Sequence, residues 1–539
     1  MREKINQILI KVYKMLPYLI LLLVFSFNIM LLVLKGTSLL DSDIASEIVL
    51  ADFLNKEGGL VSPNWFYSTE IHIFSQQPFL QLGLYIFPND WNLARTLGIA
   101  LELIMIVLGY FLLSYSIKEK SRYAAWFAII VICPFGFWYM HMITVSGFYM
   151  APLLFSMLGV SFIALFIEAD DRIKRVIWLI LMLMTAFCSG MKSVRYLIFP
   201  YAPLLVTAVC LLIYRVQREP EKIKSFHCKE WRFAIGVIAS TIFNMIGYLV
   251  NSKILCQRYI YQNANSQAWG EMSLAALLGA WSDFLSLFGF QNDEIANSLS
   301  VNGRTNPEVF SLQGIASLFG ILFSMFIVFS AVRLLLRWSK LSFWQRVVVA
   351  LFWSTLLIDG IVFKWTKGFD TGAAYWIPVV PFTLMLIQIE CSTEDFVLPY
   401  TRKAIVLLVV ICTLITSYAT VDEYENKSLY ANEDTVNVAN WLVDQGYTEG
   451  YATFWNSNVL TALSNGKLEM WTVWNLNDRN IQAWLQKTEH TNPPTAEKVF
   501  AVIGPHDDVD MANMYYDDLG MPEVVFSDEY GYTIVGYER

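Results

Sequence analysis

The sequence predicts a polytopic α-helical membrane protein of about eleven transmembrane helices with a C-terminal extracytoplasmic α/β domain. Three observations predict it. Of 539 residues 56% are hydrophobic and 16% charged, and the mean hydropathy is +0.47, well above what a water-soluble chain of this size carries. Apolar runs of bilayer-spanning length recur up to residue 419. Beyond them, residues 420–539 hold 20 acidic and 6 basic side chains, so an acidic appendage follows a basic membrane body. A net charge of −8 offers no basic face for a nucleic acid. Seven cysteines form neither a disulfide framework nor a CxxC metal spacing.

The spans are expected near 17–34, 92–116, 123–143, 147–167, 176–190, 196–214, 233–251, 312–332, 347–363, 376–390 and 404–419. One alternating set of connections holds 22 Lys and Arg, including Arg2, Lys4, Lys11 and Lys14, and the other holds 9 in a longer total stretch. Basic loops resist translocation, so the richer set is cytoplasmic, with the N-terminus inside and the C-terminus outside. The first span follows a basic segment and lacks a small-residue cleavage site before Asp41-Ser42-Asp43, so it reads as an uncleaved anchor. No fixed-period repeat or pair of matching halves is visible.

Residues 1–420 are thus expected as a membrane domain, including a first outer loop at 35–91, and 421–539 as a soluble domain. Within the latter the pattern predicts helices at 433–445, 457–464 and 508–519 and strands at 449–454, 467–473, 498–503, 523–527 and 532–537. Turn signals at Asn465-Gly466 and Tyr530-Gly531 support the strands.

Chemistry is expected in the first outer loop, which carries Asp41, Asp43, Glu47, Asp52, Glu57, Glu70 and Asp90 against Lys35 and Lys56. Residues 41–54 have helical periodicity, with Ile44, Ile48 and Ala51 on one stripe and Asp43 and Glu47 at i, i+4. This predicts an amphipathic helix lying at the outer interface with two adjacent carboxylates. Close carboxylates raise one another's pKa or bind a divalent cation such as magnesium or manganese, and either suits a base that activates a hydroxyl. The plain alternative is that Asp41 or Asp43 is only an N-cap.

Further ionisable groups gather at the same end of the spans. Arg95 and Glu102 lie at i, i+7 on the second span, His141 ends the third, and Lys192 and Arg195 join the fifth and sixth. Asp359 lies one turn inside the ninth, followed by Lys364 and Lys367. Singly, the lysines and arginines fit snorkelling to headgroups and His141 an interfacial role. Together they would line an outward cavity with acids for chemistry and cations for a phosphate. In the tail, Trp441, Trp455, Trp471, Trp474 and Trp484 are either core or a platform for a glycan, and Asp507, Asp508 and Asp510 either a cation site or a helix start.

The pattern resembles the GT-C superfamily of polyprenyl-phosphate-dependent glycosyltransferases, in particular the protein mannosyltransferase and aminoarabinose transferase group and its uncharacterised bacterial branch. The likeness rests on Asp41-Ser42-Asp43, the run from Gly59 to Glu70, Trp91-Asn92-Leu93-Ala94-Arg95, Arg195 to Pro200 and Ala374 to Pro381. It implies transfer of a sugar from a polyprenyl-phosphate donor to an envelope glycan, lipid or protein acceptor at the outer face of a bacterial plasma membrane. It also implies Asp43 or Asp41 as the catalytic carboxylate, the same two as ligands of any metal, and Arg95, Lys192, Arg195, Tyr375 and Lys364 as donor-phosphate contacts. Glu47, Glu102, His141 and Asp359 would line the cavity. Related enzymes often place Arg before the tyrosine at this point, where this chain has Ala374. The competing readings are a transporter or flippase of envelope lipids, which calls for charges near mid-membrane, and a non-catalytic scaffold whose exterior domain recruits a partner.

Overall fold

The computed structural model describes residues 2–69, 71, 73–119, 123–133, 135–218, 228–261, 268–271, 273–289, 308–367, 373–392, 399–426, 433–529 and 531–538. Glu70, Tyr530 and the side chains of Lys364 and Lys367 lie outside the described residues. Ten helices among them are long and apolar enough to cross a bilayer: Lys14–Lys35, Trp91–Ser116, Met150–Glu168, Arg172–Lys192, Leu197–Arg218, Lys229–Gln257, Leu312–Leu336, Phe343–Val362, Ala373–Ser392 and Arg402–Tyr424. They match ten of the eleven expected runs. Many leave large apolar side chains uncovered, among them Leu19, Leu22, Leu23, Ile177, Ile180, Ile242 and Leu322. In water that would be a liability, whereas a lipid-facing helix requires it.

The eleventh run is present but broken. Ala124–Val131 is a buried α-helix, and Phe137–Tyr139 continues into a π-helical turn, Met140–Val145. Its crossing follows from the ends of other spans. Glu168, at the end of the fourth span, accepts hydrogen bonds from Lys118 just beyond the second, from Lys229 at the start of the seventh (2.5 Å) and from the Trp344 indole at the start of the ninth (2.9 Å). These four ends therefore share one face. Met150 opens the fourth span on the opposite face, so the chain crosses between Lys118 and Met150, and 124–145 is the segment that does it.

By packing, the chain divides into two units: Met1–Asn28, Glu102–Ser252 and Asn265–Tyr424 form one, and Ile29–Leu101, Lys253–Ala264 and Glu425–Arg539 the other. In the first unit the fifth and seventh spans approach until their backbones touch. A Cβ on Gly190 would lie 1.9 Å from the Asn244 carbonyl oxygen, and one on Gly247 2.1 Å from that of Phe187. Asn244 Nδ2 donates across the same contact to Ser189 Oγ at 3.0 Å and to the Ala186 carbonyl at 3.2 Å. Small residues plus an interhelical amide are what hold helices together in lipid, where burial of apolar surface gives no drive. A short antiparallel pair, β2 (Ala268–Trp269) and β3 (Thr366–Lys367), also belongs to this unit.

The second unit joins the first outer loop to the C-terminal domain. The helix Ser42–Glu57 begins at an Asp41 N-cap and ends on Gly58 in the left-handed region. The domain's five-stranded sheet has the order β5-β4-β7-β9-β8, with β4 (Glu449–Thr453) parallel to β5 (Glu469–Val473) and β7 (Lys498–Ile503). β9 (Thr533–Glu538) runs antiparallel to β7 and to β8 (Glu523–Ser527). Both sheet faces are covered. Val438, Leu442, Leu460, Leu468, Phe500 and Ile534 form one core, and Tyr451, Trp471, Val473, Val499, Met514 and Tyr537 the other. The fully buried runs of β5 and β7 are what a parallel sheet covered on both faces demands.

The expected helix at 508–519 does not form. Only Met511–Asn513 makes a 3-10 turn, and Tyr516 and Gly520 close an antiparallel bridge. Asp507 Oδ2 accepts from the Gly504 amide at 2.6 Å, its Oδ1 accepts from Thr453 Oγ1 at 2.8 Å, and Asp510 accepts from Asn513. Asp507 thus satisfies a turn amide and Asp510 a neighbouring side chain, local bonds that compete with helix. Trp441 packs on the first core and Trp471 lies in the second, whereas Trp455 and Trp474 are exposed.

The loop and the domain are stitched together. β1 (Trp65–Phe66) pairs antiparallel with β6 (Gln486–Lys487), and the Ser42 hydroxyl donates to the Phe454 carbonyl at the head of the helix Phe454–Leu463. The Asn465-Gly466 turn meets the start of the second span, where Asn465 Oδ1 accepts from the Trp91 amide at 2.8 Å. Gly466 has φ +72°, and a Cβ there would sit 2.5 Å from the Trp91 ring.

Candidate functional site

Asp41 has extended backbone (φ −114°, ψ 177°), and its Oδ1 accepts the Ile44 amide at 2.7 Å. Only 5% of it is exposed. The first turn of the second span packs against the last turn of the first: Asn92 Nδ2 donates to the Leu32 and Val33 carbonyls at 3.2 Å, and Arg95 Nη2 donates to the Gly36 carbonyl at 2.8 Å. Gly36 is the residue that admits them, since a Cβ there would lie 2.2 Å from Asn92 Oδ1 and 2.8 Å from Arg95 Nη2. Arg95, itself 3% exposed, thus brings its charge toward Asp41. Burial pushes the Asp41 carboxyl up to about 6, against the opposing pull of the Ile44 amide and of Arg95.

The raised value makes stability depend on pH. Folded Asp41 binds its proton more tightly than the unfolded residue, whose pKa is 3.8, so stability is greatest below pH 3.8 and falls as pH rises through about 6. Asparagine caps a helix as well as aspartate does. Asp41→Asn is therefore expected to stabilise the protein at pH 7.5 by roughly 2–3 kcal/mol. Thermal unfolding in detergent at pH 7.5 and pH 4 checks this, and a gain that failed to shrink at the lower pH would contradict it.

The helix that follows is not the amphipathic one that its periodicity suggests. Ser42, Ile44, Ala45, Ser46, Glu47, Ile48, Val49, Leu50, Ala51 and Leu54 are all buried, which wraps most of the way around it. The helices Gln77–Ile86 and Phe454–Leu463 pack against it. Asp43, in the first turn, is half-buried. Glu47 is held by Gln77, whose Nε2 donates to its carboxylate at 2.5 Å and to its carbonyl at 3.1 Å. Gln77 had no place among the sequence candidates, although Gln76-Gln77 is an amide pair set before an apolar run.

In the membrane unit, the face opposite Glu168 carries a second group. Arg195 stands over the Tyr375 ring, 5.5 Å from its centroid, and Tyr149 meets Tyr375 edge-on at 6.2 Å. Lys192 is buried, and Asn251 Nδ2, from the seventh span, donates to the Met191 carbonyl at 2.7 Å and to that of Lys192 at 3.4 Å. His141 Nδ1 is 2.6 Å from the Tyr424 hydroxyl, with the Phe137 and Trp138 rings around it. Asp359 and Glu102 are buried in their spans. Tyr149 and Tyr424 escaped sequence reasoning, and their only signal is an aromatic ring at a span end.

The donor set at Asp41 and Asp43 suits a hard cation poorly. Magnesium and manganese favour octahedral oxygen coordination. Here two carboxylates are available, one already spending an oxygen on a helix cap and standing beside a guanidinium.

No family model matches the sequence, and no curated protein does. Among solved structures, the chain is similar to ArnT from Cupriavidus metallidurans in the apo state, at 11% identity over 96% of this chain and 97% of that one, with a TM-score of 0.52. The structure of the same protein bound to undecaprenyl phosphate matches with the same values. Identity this low speaks to the fold alone. The likeness runs over nearly the whole of both chains, so the chain has the GT-C-like fold that its sequence pattern predicts.

Proposed function

We propose that this protein transfers a sugar from a polyprenyl-phosphate donor to an acceptor of the cell envelope, on the extracytoplasmic side of a bacterial plasma membrane. The observation that carries the reading is the buried Asp41–Arg95 arrangement at the head of the loop after the first span. A buried acid beside a buried base is costly to maintain, and perturbed acids of this kind cluster at functional sites. The fold shared with a protein solved bound to undecaprenyl phosphate supports it, as does the bias of Lys and Arg toward one set of connections.

In this reading the half-buried Asp43 takes the proton of the acceptor hydroxyl while its oxygen attacks the anomeric carbon. The bond from that carbon to the phosphate oxygen breaks, and the polyprenyl phosphate departs with the electron pair. Arg95, in the same unit as Asp43, offsets the charge of the departing phosphate, and Lys192 and Arg195 are the cations that the membrane unit offers to a donor phosphate. Arg195 also answers the alanine at 374: it brings a guanidinium to the face of Tyr375, the tyrosine that an arginine precedes in related enzymes.

Purified protein in detergent, given undecaprenyl-phosphate-linked radiolabelled sugars and envelope extract, is expected to move label to an acceptor and release undecaprenyl phosphate. Label that stays on the lipid throughout would overturn the proposal. Arg195→Ala is expected to raise the KM for donor about 10–100-fold, the scale of a hydrogen bond to a charged group. An unchanged KM would remove Arg195 from the phosphate site.

A further inference from the structure

Within the second unit, the first outer loop and the C-terminal domain flank a cleft that opens to solvent. Its walls are aromatic: Phe53 from the helix Ser42–Glu57, Trp65 from β1 and Trp91 from the start of the second span. Its rim is charged but balanced. Asp52 pairs with Lys56 at 2.7 Å, and Glu469 with Lys487 at 2.5 Å. His490 Nε2 lies 2.9 Å from the same Glu469 oxygen, and the neighbouring His490 and Lys487 hold the Glu469 carboxyl down at about 2 against its burial.

This trio is unsuited to a metal even though Glu469, Glu489 and His490 have ligand atoms within 4.8 Å of one another. The Lys487 ammonium lies 2.5 Å from Glu469 and 3.2 Å from Glu489, where a cation would have to stand. Two acids matched by two bases likewise give no net field to draw an anion. What remains is an aromatic-walled, polar-rimmed, electrically balanced pocket. Trp65 closes the back of the cleft as a fully buried ring, and its indole N–H has no hydrogen-bond partner among the described residues. A buried donor left unmet is rare and calls for an acceptor.

We infer that this cleft holds a neutral sugar ring of an oligosaccharide acceptor. A pyranose has an apolar face for Phe53, the one part-exposed ring of the wall, and hydroxyls for the paired charges at the rim. Asp52 follows Asp43 by nine residues on one helix, about 13–14 Å along its axis, so a ring held here and a hydroxyl at Asp43 belong to different units of the acceptor. The inference rests on the proposed transfer only in naming the ligand an acceptor; the binding stands by itself.

The test uses the full chain in detergent with maltotetraose, cellotetraose and chitotetraose as neutral probes and tetragalacturonate and tetraglucosamine as charged ones, read by tryptophan fluorescence and calorimetry. At least one neutral tetramer is expected to bind, more tightly than either charged one. Phe53→Leu, which keeps apolar volume, and Thr461→Trp, which fills the cleft from the domain side, are each expected to weaken binding about tenfold with unchanged thermal unfolding. In the transfer assay Phe53→Leu should raise the acceptor KM and spare kcat. No neutral binding up to about 10 mM, tighter binding of a charged tetramer, or binding unaffected in both variants would overturn the inference. Neutral binding without any transfer would keep the cleft and sink the transferase reading, and transfer without such binding would do the reverse.

Discussion

Asp43→Asn is expected to lower the kcat of sugar transfer about 10²–10⁴-fold, the range that a positioned general base supplies. The substitution keeps shape and removes the proton acceptor. Asp43 sits in the first turn of the helix that Asp41 caps, where a negative charge is worth only about 0.3–1 kcal/mol to the helix. Folding should therefore survive, and thermal unfolding should move little. Donor binding, followed by protection of undecaprenyl-phosphate sugar from chemical hydrolysis, should also be retained. The paired substitution Asp41→Asn discriminates between the two acids, since it removes a buried charge while keeping the cap. Should Asp41→Asn abolish transfer and Asp43→Asn leave it intact, the roles assigned to the two carboxylates are reversed.

Gly190→Val is expected to destabilise the packing of the fifth span on the seventh severely. At this contact the obstacle to a side chain is the Asn244 carbonyl, 1.9 Å from where a Cβ would stand. A backbone oxygen held in a helix cannot swing aside as a side chain can. Overpacking usually costs about 1–3 kcal/mol, and these two spans must separate to admit valine, so the loss should exceed that range. The reciprocal glycine, Gly247 against Phe187, should behave alike. Gly279→Ala is the control, because a Cβ there meets nothing within 4 Å and alanine favours a helix by about 1 kcal/mol. Thermal unfolding in detergent reads all three, and an unchanged midpoint for Gly190→Val would contradict the close approach. The contact matters beyond stability, since Asn251 grips the end of the fifth span at Met191 and Lys192.

What was legible in the sequence is what depends on neighbours a few residues away. Ten spans appear where apolar runs place them, and strands β4, β5, β7, β8 and β9 lie within a residue or two of the alternating patterns. The Asp41 cap was legible too, because capping is settled within three residues. Burial of the Ser42–Glu57 helix was not, since the segment that covers it lies some four hundred residues later and leaves no mark on local periodicity. The helix expected at 508–519 failed for the opposite reason. Its apolar residues do point inward, Met514, Tyr516 and Leu519 among them, but Asp507 and Asp510 spend their carboxylates on turns. Among the candidate residues, charge type and span position singled out Asp41, Arg95 and Arg195, whereas Tyr375 came only with the family resemblance. Gln77, Tyr149 and Tyr424 carry no charge and were passed over, although each touches one of the groups singled out.

The pairing of Trp65–Phe66 with Gln486–Lys487 has a consequence for biogenesis. A ribosome adding 5–20 residues per second needs about 20–80 s to supply the roughly 420 residues between them. Throughout that interval the early partner waits outside the bilayer with main-chain amides and the Ser42 hydroxyl unanswered. A chain stalled late in translation would thus present an open strand edge, a mark by which envelope proteases could tell an unfinished molecule from a finished one.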